Sequence, residues 1–202
     1  IAAGDEYLFA GTIPMEYLYG GALAVINLKT QERKVEVNLI ENQSITSLAY
    51  NDGIVFGGTS VSGGTGTDGS ATGEESAVIF AYDANEKKLL ATLDLREYFP
   101  ELPDKLPYIN GIVADPDVAQ NGKLWGLVSE TLFSFSFDKA TNTFSVKEEL
   151  SYAKNTYEIG GGSCFPLFGK TTLKADPYAM REVAGIIYAI CRSDQEICRN
   201  IK

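Results

Sequence analysis

The 202-residue chain contains no histidine at all. Within these residues that excludes a Ser-His-Asp triad, a Cys-His dyad, an imidazole general base and a histidine-ligated zinc. Basic residues are scarce as well: 17 Lys and Arg stand against 27 Asp and Glu, for a formal net charge of −10. Phosphate backbones and anionic lipid surfaces are bound by clustered Lys and Arg, so neither nucleic acid nor a charged membrane surface is expected as a partner. No apolar run approaches the roughly 18 residues that span a bilayer, and membrane insertion is not expected.

Cysteine is limited to Cys164, Cys191 and Cys198. If the strands flanking residues 192–197 pair around a turn, Cys191 and Cys198 face each other across a hairpin and can form a disulfide. The alternative is a pair of free buried thiols in a reduced protein. Cys164 is left over as a core thiol, with no histidine to activate it as a nucleophile. The chain opens on Ile1 rather than Met, as a cleaved signal or excision from a longer protein would both leave it.

What is present in quantity is apolar and aromatic residues, 45% and 11% of the chain, enough for a sizeable core in a single domain covering 1–202. They fall in a unit written three times and begun a fourth. Its second, third and fourth strands read Tyr7–Thr12, Ala24–Thr30 and Lys34–Leu39, then Ile54–Thr59, Val78–Asp83 and Lys88–Leu93, then Leu124–Ser129, Leu132–Asp138 and Thr143–Val146. Segments Ser44–Tyr50 and Ile109–Ala114 precede two of these copies as innermost strands, each followed by a turn signal, Asn51-Asp52-Gly53 and Asn121-Gly122. Four-strand units of this length predict an all-β fold, a β-propeller of four-stranded antiparallel blades. About four blades fit the chain, near 1–40, 44–95, 109–150 and 157–202. The first copy is expected to begin on a second-strand slot, the last to stop near the third, and a short helix is expected within 174–182. Two readings stay open: the ends complete one blade of a small closed ring, or the chain is a segment of a larger propeller, which the missing outermost strand favours.

The starts Gly122-Lys123-Leu124-Trp125 and Asp52-Gly53-Ile54-Val55, leading to hairpins at Asp83-Ala84-Asn85 and Asp138-Lys139-Ala140-Thr141, resemble bacterial propeller repeats of the quinoprotein-dehydrogenase-like and surface-antigen-repeat families. The resemblance covers about residues 6 to 150 and implies a fold and no activity. Trp125 is the single tryptophan, so the docking tryptophans of the quinoprotein enzymes are missing and no quinone cofactor is implied.

Long insertions after the second strands, Ile13–Gly21 and Ser60–Ser76, together with Arg96–Tyr108, are expected to meet on one rim. The Gly-rich insertion lacks the Gly-Lys-Ser/Thr ending of a phosphate loop. It reads as a loop that orders around a partner or as a plain surface excursion. Asp68, Glu74 and Glu75 lack calcium-loop spacing, and no metal or cofactor is assigned. Tyr17, Tyr19, Tyr108 and Tyr157 offer stacking faces, with Asn42, Ser60, Asp68, Asn110 and Glu158 as polar partners for a ligand such as a sugar.

These features point to a non-catalytic binding module of a secreted or surface bacterial protein, taking a glycan or a protein on its loop-rich face. Abundant Tyr, Gly, Thr and Asn suit an extracellular or cell-surface setting. A second reading is part of a carbohydrate-active lyase or hydrolase completed by further blades of the same polypeptide, with Asp68 and Glu74 or Glu16 and Glu158 as acid and base. A third is a structural scaffold whose open sheet edges recruit neighbours.

Overall fold

The computed structural model describes residues 1–67, 69–73, 75–115, 117–129 and 131–151, and five strands beyond them. The protein is all-β. A first sheet is made of β1 (Ala2–Ala3), β2 (Tyr7–Gly11), β3 (Ala22–Asn27) and β4 (Arg33–Val37). A second holds β5 (Ser44–Asn51), β6 (Ile54–Ser60), β7 (Ile79–Asp83) and β8 (Lys88–Leu93). A third holds β9 (Gly111–Ala114), β10 (Leu124–Val128), β11 (Thr131–Asp138) and β12 (Thr143–Ser151). In each, strands pair antiparallel in sequence order. A hairpin of β13 (Cys164–Leu167) and β14 (Thr171–Lys174) then precedes a three-stranded sheet of β15 (Pro177–Val183), β16 (Ile186–Cys191) and β17 (Ile197–Ile201).

The first strands of consecutive sheets stand side by side, β1 against β5, β5 against β9 and β9 against β15. Among the described strands no pairing joins the first sheet to the last, so the row of sheets is open. The first sheet packs a face on the second, and the second on the third. Phe9, Leu23 and Val25 of the first meet Val55, Phe80 and Tyr82 of the second, whose other face sets Phe56, Ile79 and Ala81 against Leu124, Phe133 and Phe135 of the third. Covered on both sides, β6 and β7 are buried at every position and read as continuous apolar or small-residue runs. The outer strand β4, Arg-Lys-Val-Glu-Val, is largely exposed and charged, which blunts an open edge.

Three expectations are corrected. The first sheet has its own short innermost strand, β1, held to Leu8 and Phe9; two alanines give too little pattern to read as a strand. The described residues of 174–182 are not helical: Lys174 ends β14 and Pro177–Glu182 lie in β15, which pairs with β16. Asn121-Gly122 is not a tight hairpin turn. A single helical turn, α1 (Val118–Asn121), intervenes, and Gly122 at φ +65° closes it by donating its N–H to Val118 O. By contrast Asp52 and Gly53, at φ +45° and +78°, make the tight turn between β5 and β6.

Because neighbouring strands alternate in direction, the β2–β3, β4–β5, β6–β7 and β8–β9 connections emerge on one side of the sheets, and the β1–β2, β3–β4, β5–β6 and β7–β8 connections on the other. The first side carries the long loops.

Candidate functional site

The long loops form one continuous surface, joined by backbone hydrogen bonds. Tyr17 N–H donates to Thr65 O at 3.0 Å and Gly64 N–H to Leu18 O at 2.9 Å, tying the 12–21 loop to the 61–78 loop. Ala77 N–H donates to Leu106 O at 2.8 Å and Val61 N–H to Pro107 O at 2.9 Å, tying the second loop to the 94–110 loop. Gln43, buried in the short 38–43 connection, joins three elements. Its carbonyl accepts from Gly21 N–H, its side-chain amide donates to Ser76 O at 3.0 Å, and its side-chain oxygen accepts from the Thr59 hydroxyl at 2.6 Å.

Docking of the two loops explains Gly63, Gly64 and Gly66 of the glycine-rich run. A β-carbon on Gly64 would stand 1.9 Å from Met15 O, and one on Gly63 2.3 Å from Leu18 O. Gly66, at φ +88°, lies so close under the Tyr17 ring that a β-carbon there would be 2.4 Å from it. The glycines let one loop lie directly against the other, a use that calls for neither a phosphate nor a metal.

Loop 12–21 is thereby held with its apolar side chains outward. Met15 is 80% exposed, Tyr17 73%, Ile13 62% and Leu18 55%. Tyr98 and Tyr108, on the 94–110 loop, are also exposed. Beside them lies a cleft of about 540 Å³ lined by Asp94, Arg96, Glu97, Phe99, Leu102 and Asp104 among others. The Arg96 guanidinium donates to both oxygens of Asp94 and to Asp104 O, and this pairing holds the Asp94 carboxyl below its ordinary range and Arg96 above its own. In the 61–78 loop, desolvation works against the charge of Glu75, but its own backbone N–H, Thr72 and Ser70 hydrogen bond to it and hold its pKa at about 2. Among the described residues no group of three or more Cys, Asp or Glu is placed to hold a metal ion. No helix among them is long and apolar enough to cross a membrane.

The structure puts the sequence-derived candidates in different settings. Tyr17 is exposed, Tyr19 is partly covered beside Gly63, and Tyr108 is exposed where an isolated bridge pairs it with Ser60. Ser60 is buried, its hydroxyl donating to Pro107 O and accepting from Ser62 N–H, so it is occupied in joining loops. Asn110 accepts from Ser129 N–H at 2.7 Å through its side-chain oxygen. Asn42 lies partly covered in a left-handed turn at φ +58°, its backbone N–H donating to the Asn38 side chain. Asp68, Tyr157 and Glu158 lie outside the described residues, as does Glu74. In the β16–β17 ladder Cys198 stands opposite Ala189 and Ile197 opposite Ile190, with Cys191 ending β16.

Sequence reasoning did not single out Ile13, Met15 and Leu18 as binding residues. The available signal was an aliphatic and aromatic string inside an insertion with no strand alternation, flanked by Pro14 and Gly20-Gly21. No family model matches the chain, and no curated protein matches it either.

Proposed function

We propose that this chain is a non-catalytic recognition module, a propeller-like row of four-stranded blades that binds a protein partner through its loop-rich side. The observation that carries the reading is the exposed string Ile13, Met15, Tyr17 and Leu18 on a loop pinned by two backbone hydrogen bonds. Contiguous apolar surface held out in solvent marks an interaction site, and a prearranged loop loses little conformational entropy on binding. Exposed aliphatic side chains favour a protein over a sugar, since sugar rings stack on aromatic faces. Internal use of the Ser60 hydroxyl and the Asn110 side-chain oxygen also leaves fewer polar groups for sugar hydroxyls. Work outside the cell, at or beyond a bacterial surface, belongs to the same proposal and is supported by the composition.

A photo-crosslinking residue placed at position 17, and separately at Leu28 on the opposite side, tests this reading in the fluid or cells that produce the protein. A discrete protein adduct from position 17 and none from position 28 is the expected result. Glycan-array binding that Tyr17→Ser abolishes, with no protein adduct at position 17, would replace the reading with a glycan-binding one.

A further inference from the structure

We infer that the partner is a positively charged protein, presenting an apolar centre bordered by lysine or arginine. The inference rests on the reading of the loop-rich side as a protein-binding surface, and on the charges that surround its apolar string. Among described residues, connections 12–21, 38–43, 61–78 and 94–110 carry seven Asp or Glu and two cations, Arg96 and Lys105. Both cations are engaged inside the surface, Arg96 with Asp94 and the Asp104 carbonyl, Lys105 with the Gly73 carbonyl.

Glu16 sits within the apolar string, exposed between Met15 and Tyr17, and Glu41 is exposed in the connection that hydrogen bonds to Gly21. Neither forms an ion pair among the described residues, and Glu97 lines the cleft of the 94–110 loop. On the opposite side the described connections also carry seven Asp or Glu but four Lys, and two carboxylates are paired there, Glu6 with Lys29 and Asp83 with Lys139. The loop-rich side therefore presents apolar anchors inside a field of net negative charge. That field draws a basic surface toward the anchors and repels an acidic one, with a reach of about 8–10 Å at physiological salt.

The test uses three labelled peptides that share a Leu-Trp-Phe-Leu core, flanked by Lys and Arg, by Ser, or by Glu, with fluorescence anisotropy as the readout. The Lys/Arg peptide is expected to bind at least about tenfold tighter than the Ser peptide, an advantage that shrinks as salt is raised. Glu16→Gln with Glu41→Gln should weaken it about fivefold, while Asp52→Asn with Asp117→Asn, the same charge change on the other side, should leave it within about twofold. Met15→Ser with Tyr17→Ser should abolish binding, with circular dichroism verifying the fold of each variant.

If Ser and Lys/Arg peptides bind equally and both are lost in the Met15→Ser, Tyr17→Ser protein, the basic partner is overturned and the protein-binding surface stands. If binding survives that double variant and both charge pairs weaken it alike, only net charge is acting and both readings fall. Failure of all three peptides to bind overturns the inference.

Discussion

The ring of Phe80 lies on Gly57, its direct partner across the β6–β7 ladder, so closely that a β-carbon on the glycine would stand 2.1 Å from the ring. Phe133 covers Gly126 in the same way between β10 and β11. The repeated small residue in the second strand of the unit thus makes room for an aromatic side chain from the third, and each pair seals one sheet.

Gly57→Ala should destabilise the protein by about 1–3 kcal/mol, the usual cost of forcing extra volume into a packed core. Phe80 is fully buried. Urea denaturation followed by tryptophan fluorescence measures the shift, and an unchanged midpoint would mean that the ring does not rest on Gly57.

Lys139, on the third sheet's β11–β12 turn, places its ammonium 2.6 Å from Oδ2 of Asp83 on the second sheet. Burial pushes the Asp83 carboxyl upward, but Lys139 and the backbone N–H groups of Glu86 and Asn85 outweigh it, and the pKa is held below the ordinary aspartate value. A depressed carboxyl contributes stability that is present above its unfolded pKa, near 3.9, and is lost as pH falls through the folded value. Lys139→Gln should therefore lower stability at neutral pH and move the acid-unfolding midpoint upward. An acid transition identical to that of the parent protein would remove the pair from any role in joining the two sheets.

Replacing Gln43 by alanine removes the side-chain donor to the Ser76 carbonyl and one partner of the Thr59 hydroxyl, which keeps its hydrogen bonds with Val78. Leaving a buried polar group unpaired costs about 1–3 kcal/mol. Hydrogen exchange should show the amides of 61–78 opening faster, while those of β10 and β11 in the third sheet keep their protection. Uniform acceleration throughout would instead mean that Gln43 supports the whole fold.

Gly66→Ala places a side chain at φ +88° and within 2.4 Å of the Tyr17 ring. The strain of a left-handed non-glycine residue is about 1 kcal/mol, and the clash displaces the ring. We expect a small change in urea midpoint together with weakened crosslinking from position 17. Unchanged crosslinking would show that the stacking of the two loops does not prepare the surface.

Much of the strand order was legible because apolar and small residues recur at fixed intervals in each copy. Ile54–Ser60, Ile79–Asp83 and Lys88–Leu93 coincide almost residue for residue with the strands read from the pattern. Two alanines carry no such pattern, and β1 became visible only through its pairing with Leu8 and Phe9. Likewise a Gly after Asn121 signals a positive φ without saying whether it ends a hairpin or a helical turn.

The candidate surface was legible only in part. Convergence of the three insertions follows from alternating strand direction, which local periodicity sets. Which insertion residues face solvent does not follow, because an irregular loop has no repeat to assign its sides. Ser60 looked available for a ligand and is buried as a tie between loops, whereas Met15 and Leu18, which the sequence pattern did not single out, are exposed. The sequence by itself determined most of the strands and the excess of negative charge. Tertiary structure alone decided where that charge stands unopposed and which apolar side chains remain uncovered, because both depend on contacts between segments far apart in the chain.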